Sequence, residues 1–347
     1  MMVRVDIVVL LLPFAVQPLR RLGWHVTQRM VRWAECCMTA GASRARALQM
    51  TFAQSLPLPQ PLSRRMAMAC MVASAASWGL ATVATKGVLA TLPPFTLLTI
   101  QLAASIGFLW LAVLVTRPRC AGLTWRAAST GLLEPGLAYA AGMPGLALTG
   151  AASAAVIAAT EPMMITLIAW GILGQPLRKR AGFGVVAGVA GVVILTSGAG
   201  GEADMLGNLL VFAGAAFAAV YVLTSARLVG DIAPLPLAAA QQSVGFGMAV
   251  VMMTIAVATG WETLPAHISL PVLLAAAASG IMQYALPFWF YLTGLRALPV
   301  TTAAPFLTLT PLFGVGGAIV FLGETLTPWQ TCGGIIVMAA LVITVRD

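Results

Sequence analysis

Charged side chains are scarce in this sequence: Asp, Glu, Lys and Arg make up 8% of its 347 residues, where a soluble domain carries about 25%. With 60% hydrophobic residues and a mean hydropathy of +0.96, a soluble fold could not hide its apolar surface. Histidine is nearly missing, with His25 and His267 as the two in the chain, which leaves no ligand set for zinc. Cys36, Cys37, Cys70, Cys120 and Cys332 show neither metal-ligand nor disulfide spacing and read as unpaired thiols. No metal and no cofactor is expected. The alternation of polar and apolar residues that a transmembrane β-barrel needs is also lacking.

What is present is a series of long apolar runs. From Met66 onward they recur over 66–89, 95–115, 127–148, 151–173, 180–198, 206–226, 235–258, 270–295, 299–322 and 328–345, each about the ~20 residues that span a bilayer as a helix. The expected fold class is therefore an all-α membrane protein of about ten transmembrane helices. The 34 Gly and 21 Pro scattered through these runs are tolerated where helices approach closely and neighbours satisfy the backbone. A net charge of +9 could suggest nucleic acid, but nine of the 19 Lys and Arg lie in the first 65 positions. At alternate helix ends, Arg64, Arg65, Arg117, Arg119, Arg126, Arg178, Lys179, Arg180, Arg227, Arg296 and Arg346 fall on one side and Lys86 on the other. This bias predicts both termini in the cytoplasm, and no nucleic-acid partner. Residues 1–65 are Arg-rich with Pro57, Pro59 and Pro61 at their end. They read as a basic, disordered cytoplasmic extension, or as a mis-assigned start with translation beginning at Met50 or Met66.

The chain also repeats itself. Adding 149 carries Gly131 onto Gly280, Gly145 onto Gly294, Pro162 onto Pro311, Gly174 onto Gly323 and Gly184 onto Gly333. Earlier in each half an offset of 141 carries Lys86 to Arg227, Pro93 to Pro234 and Gln101 to Gln242. The domains expected are thus a first five-helix repeat over 66–198 and a second over 206–347. An odd number of helices per half makes the repeats inverted, an architecture typical of transporters.

An ionisable group inside the hydrocarbon costs about 2.5–3.5 kcal/mol on insertion scales, so it usually faces a cavity or a partner. Lys86, Glu134 and Glu161 stand out on this ground, Lys86 having snorkelling to the interface as its alternative. Glu134 precedes Pro135, and its repeat mate is Gln283; Glu161 precedes Pro162, and its mate is Thr310, before Pro311. A proline removes a backbone hydrogen bond and frees carbonyls that can bind a solute or ion; the other reading is a simple kink, with the glutamates paired to Lys86 or a hydroxyl. Proton exchange by either carboxyl is open. Gln101 and Gln242, as mid-helix amides, need partners. Trp78, Tyr139, Tyr221, Gln241, Tyr284, Trp289 and Tyr291 complete the expected pathway, with interfacial anchoring as the alternative for each aromatic. Gly182, Gly184, Gly188 and Gly191 suit close helix contact, with a homodimer face as one use.

These residues carry a family resemblance. Ser77-Trp78-Gly79 followed by Lys86, Leu92-Pro93-Pro94 before the second helix, and the paired units Gly174-Gln175-Pro176-Leu177 and Gly323-Glu324-Thr325-Leu326 resemble the drug/metabolite transporter superfamily, specifically its EamA-type ten-helix exporters. The resemblance covers Met66 to Asp347. It implies export of amino acids or related amphipathic metabolites by alternating access, from a central cavity in the inner (plasma) membrane, with a small solute and the lipid bilayer as partners. Glu324 matches a motif position at a loop and is expected to be structural; Gln175 departs from the usual Glu. A membrane-embedded enzyme would need clustered Asp, His or Cys at one face, and a non-transporting receptor would need large loops or a soluble domain. Neither feature is found.

Overall fold

The computed structural model describes residues 63–118, 122–172, 177, 179–197, 202–225, 232–298, 303 and 306–345. The basic extension as far as residue 62, and Gly174, Gln175 and Pro176 of the first motif, lie outside the described residues. Every regular element among the described residues is helical, as a chain that leaves the backbone no water must be.

The first half contains α1 (Arg64–Leu89), α2 (Pro94–Thr116), α3 (Trp125–Ser129), α4 (Ala138–Leu148), α5 (Ala151–Ala158), α6 (Glu161–Gly171) and α7 (Lys179–Ser197). The second contains α8 (Glu202–Ser225), α9 (Pro234–Ala258), α10 (Leu270–Gly280), α11 (Leu286–Ala297), α12 (Thr310–Leu322) and α13 (Pro328–Val345). Local chemistry sets several ends. Ser63 accepts from the Met66 amide at 3.2 Å to open α1, a standard N-cap. Prolines at the first positions of α2 and α9 lose nothing there, since those amides have no partner within the helix.

Seven of these segments are long and apolar enough to cross a membrane, with α5 and α6 taken together and α10 to α11 taken as one; Thr310–Leu322 and Pro328–Thr344 are apolar but shorter. The third expected span is interrupted. Between α3 and α4 the chain passes through a tight turn, Thr130–Leu132, and a wide turn, Leu133–Leu137. The corresponding place in the second half carries a wide turn too, Ile281–Ala285, between α10 and α11. Such wide turns recur at functional sites.

The halves are interlocked. α1 packs on α11 and α12 of the second half, and α8 packs on α4, α5 and α6 of the first. Met71, Leu97, Leu102, Leu109, Phe288 and Leu292 fill the shared core, while Val115, Phe183, Val186, Val320 and Phe321 are exposed on the outside, where lipid would contact them. Two crossed contacts show the repeat directly: a side chain on Gly131 would strike the backbone of Gln241, and one on Gly280 would strike the backbone of Gln101. The hydrogen bonds agree. Gln101 donates to Thr85 and to Ser279, and Gln241 donates to Ser225 and to Thr130. The repeat register is therefore corrected by one residue: the structural mate of Gln101 is Gln241, not Gln242, and Pro94 rather than Pro93 matches Pro234 at a helix start.

The glycine run on α7 meets α13 of the same chain. A side chain on Gly191 would sit 2.9 Å from Val337, and one on Gly184 would sit 2.9 Å from the Ala340 carbonyl; Gly188 lies against Met163 and Ala340. These three glycines are used within one chain, so they give no support to a homodimer face. A side chain on Gly333 would reach the Leu195 amide at 2.5 Å and the Gly191 carbonyl at 2.6 Å, and backbone cannot yield as a side chain can. Gly333→Val is expected to destabilise the protein by about 1–3 kcal/mol, read as a lower unfolding midpoint in detergent. Gly316→Ala, inside α12 where nothing lies within 4 Å, should not lower that midpoint, since alanine favours a helix over glycine.

Candidate functional site

Two adjoining cavities lie where the interrupted helices meet, one of about 140 Å³ and one of about 110 Å³. Each has room for a few waters, at about 30 Å³ apiece, or for a small solute. Thr82, Glu134, Tyr139, Ala158, Glu161 and Gln283 line both. Trp78, Tyr221, Tyr291 and Thr310 line the smaller one as well.

Proline chemistry places the two carboxyls. Glu134 stands before Pro135, a position from which the proline ring excludes helical backbone, and it is extended inside the wide turn at φ −145° and ψ 123°. Its side chain is buried at 7% exposure. Glu161 opens α6 with Pro162 behind it, so a negative charge there would face the favourable end of the helix dipole. The mates Gln283 and Thr310 occupy the same places in the second half, on the wide turn Ile281–Ala285 and at the start of α12. All four line the smaller cavity. Both repeat pairs read from the sequence thus converge on one space.

The broken helices need support, because an unsatisfied polar group within hydrocarbon is costly. Pro287 has no amide to offer the carbonyl one wide turn back, that of Met282, and Ser77 donates to that carbonyl at 2.7 Å. Ser74 donates to the Pro287 carbonyl at 2.9 Å, and Gln242 to the Tyr284 carbonyl at 2.5 Å. Gln242 also accepts from Ser105. Gln101 and Gln242 are therefore fully buried braces between helices, outside the linings of both cavities. Gln283 donates to the Tyr139 hydroxyl at 2.9 Å, and its own carbonyl oxygen has no partner among the described residues. The aromatic rings hold one another: Trp78 lies edge-on to Phe288 at 5.3 Å and tilted against Tyr291 at 5.7 Å. Tyr139 meets Tyr284 edge-on at 4.7 Å. Tyr284 is fully buried behind the lining.

Lys86 neither snorkels outward nor lines either of these cavities. Its ammonium donates to the Leu146 and Ala147 carbonyls at 2.9 and 3.2 Å, at the C-terminal end of α4 where cations are favoured. Glu324 accepts from the Ala151 and Ala152 amides at 2.7 and 2.9 Å and so caps α5 from the opposite half. Glu262, which the sequence did not mark, caps α2 in the same way: it accepts from Phe95 at 2.6 Å and from the amide and hydroxyl of Thr96 at 3.1 and 3.0 Å. In sequence it is one more acid in a polar loop. Tyr221, expected in the pathway, belongs to the lining; so does Thr82, which the sequence did not mark and which lies one turn from Trp78 on α1, the one signal that could have found it. Because Glu324 lies outside both cavities, Glu324→Ala is expected to cost about 0.5–2 kcal/mol of stability, as loss of a helix cap does. Calorimetric unfolding would read that loss, and solute affinity should not move with it.

Comparison with known proteins follows the same outline. No curated protein matches the chain. Thirteen solved chains do. Among them a crystal structure is similar at a TM-score of 0.61 and 18% identity, over 81% of this chain and 98% of its own, a likeness that speaks to the fold alone. The family model described as the EamA-like transporter family matches twice, over residues 65–197 and 205–346, and on that match the chain belongs to the EamA-like transporter family, the membrane transporters of the drug/metabolite type.

Proposed function

We propose that this transporter exports a small metabolite, an amino acid or a related amphipathic compound, by alternating access through the cavities between its halves. One observation carries the reading: the repeat pairs Glu134 with Gln283 and Glu161 with Thr310 line a single space. A site built equally from both halves can be exposed to one side and then the other as the halves rock about it. The interruptions at Leu133–Leu137 and Ile281–Ala285 would let the helix segments on either side move separately, with Trp78, Tyr139 and Tyr291 closing on the solute. Ten spans in inverted repeats, a location in the plasma membrane and cytoplasmic termini complete the proposal, supported by the charge bias along the sequence. Glu134 and Glu161 are the groups through which a proton could be coupled to transport.

The test is counterflow in proteoliposomes across a panel of labelled amino acids and related metabolites, with insertion verified. Saturable exchange of a few compounds is expected. Glu134→Gln or Glu161→Gln should reduce it about tenfold or more, the weight of one hydrogen bond to a charged group. Exchange that persists undiminished in both variants would remove the two carboxyls from the pathway.

A further inference from the structure

We infer that, of the small amphipathic metabolites proposed above, the solute this site selects is not an amino acid but a cation, a primary amine or a small ammonium compound that carries no carboxylate. The inference rests on reading the paired cavities as the transporter's solute site. Its first support is a charge imbalance. Glu134 and Glu161 both line the two cavities, while no lysine, arginine or histidine is found among the described residues lining either. Lys86 on α1 lies outside both linings, and its ammonium donates to the carbonyls of Leu146 and Ala147. A carboxylate on the solute would meet two acidic side chains and no basic one among the described lining residues, and like charges juxtaposed in a site are unfavourable.

The second support is the ring arrangement. Trp78, Tyr139, Tyr221 and Tyr291 line one small cavity; Phe288 or Tyr284 packs against the first three, and Trp78 packs against Tyr291. An ammonium group is attracted to aromatic faces within about 6 Å, and more so once desolvated. The third support is a missing donor. Gln283 is 6% exposed and lines both cavities, and its carbonyl oxygen accepts nothing from the described residues. A buried acceptor of this kind calls for a donor, and an ammonium is a donor without acceptors. Carboxylates, ring faces and an open amide carbonyl are all complementary to an N–H cation.

A matched set of probes separates the possibilities: phenethylamine, phenylalanine and 3-phenylpropionate share a ring and a short chain, and differ in whether they carry the amine, both charges or the acid. Titration calorimetry on the full chain in detergent should show phenethylamine bound about tenfold or more tightly than phenylalanine, with 3-phenylpropionate not bound. In the double variant Glu134→Gln, Glu161→Gln the amine should weaken about tenfold or more, while Glu134→Asp, which keeps the charge, should retain the preference for amine over zwitterion. If the double variant does not fold, the three probes on the unchanged chain decide. Phenylalanine binding as tightly as phenethylamine, none of the three binding, or amine affinity unchanged in a folded double variant would overturn the inference. Counterflow of amino acids together with a failure to bind the amine would sink the cation assignment and leave the transport reading standing. Absence of any counterflow across the panel would sink the transport reading itself.

Discussion

A backbone carbonyl or amide inside a bilayer has no water to turn to, and this protein interrupts its helices at the place where that constraint is hardest to meet. The second-half interruption persists because neighbouring side chains supply the missing partners. Ser77 and Ser74 of α1 in the other half serve the carbonyls of Met282 and Pro287, and Gln242 of α9 in the same half serves that of Tyr284. Gln101 and Gln241 clamp a helix of their own half to the interrupted helix of the other. Those clamps need close approach, and Gly131 and Gly280 provide it. Without the interlock neither half could keep its broken helix within hydrocarbon.

The site follows from the same arrangement. An interruption frees the direction of a side chain that a regular helix would fix, and the two wide turns present Glu134 and Gln283 to a common space. The half-helix starts add Glu161 and Thr310. Acids bury poorly, but here they share a cavity with room for water or solute, and the aromatic wall is braced by ring contacts outside the lining. The other acids with resolved contacts do different work. Glu262 and Glu324 are spent on helix N-termini, where the amides of the first turn are without partners.

Much of the site was legible because its signals were of two kinds at once. Glu134 and Glu161 were charges in apolar runs and also stood before prolines, and each had a polar repeat mate. Gln101 and Gln242 offered one kind of signal, polarity in mid-helix. That polarity is equally satisfied by bracing between helices, which is where both residues went. Lys86 was ambiguous for a similar reason, since a lysine near a helix end can reach the interface, a cavity or the carbonyl end of a neighbouring helix, and nothing local distinguishes these. The repeat register slipped by one residue because adjacent glutamines, Gln241 and Gln242, and adjacent prolines, Pro93 and Pro94, gave two alignments of equal local merit.

Sequence alone determined that the protein is helical, apolar, duplicated and broken at its prolines, because hydropathy, repeat spacing and the chemistry of proline act through the chain's own covalent order. Tertiary structure decided the assignment of partners. Which amide braces a helix, which acid caps one and which lines a cavity depends on what the opposite half brings within about 3 Å, the reach of a hydrogen bond. The glycine run shows the same division: its spacing announced a close helix contact, and only the packing of α7 on α13 decided that the partner lies in the same chain.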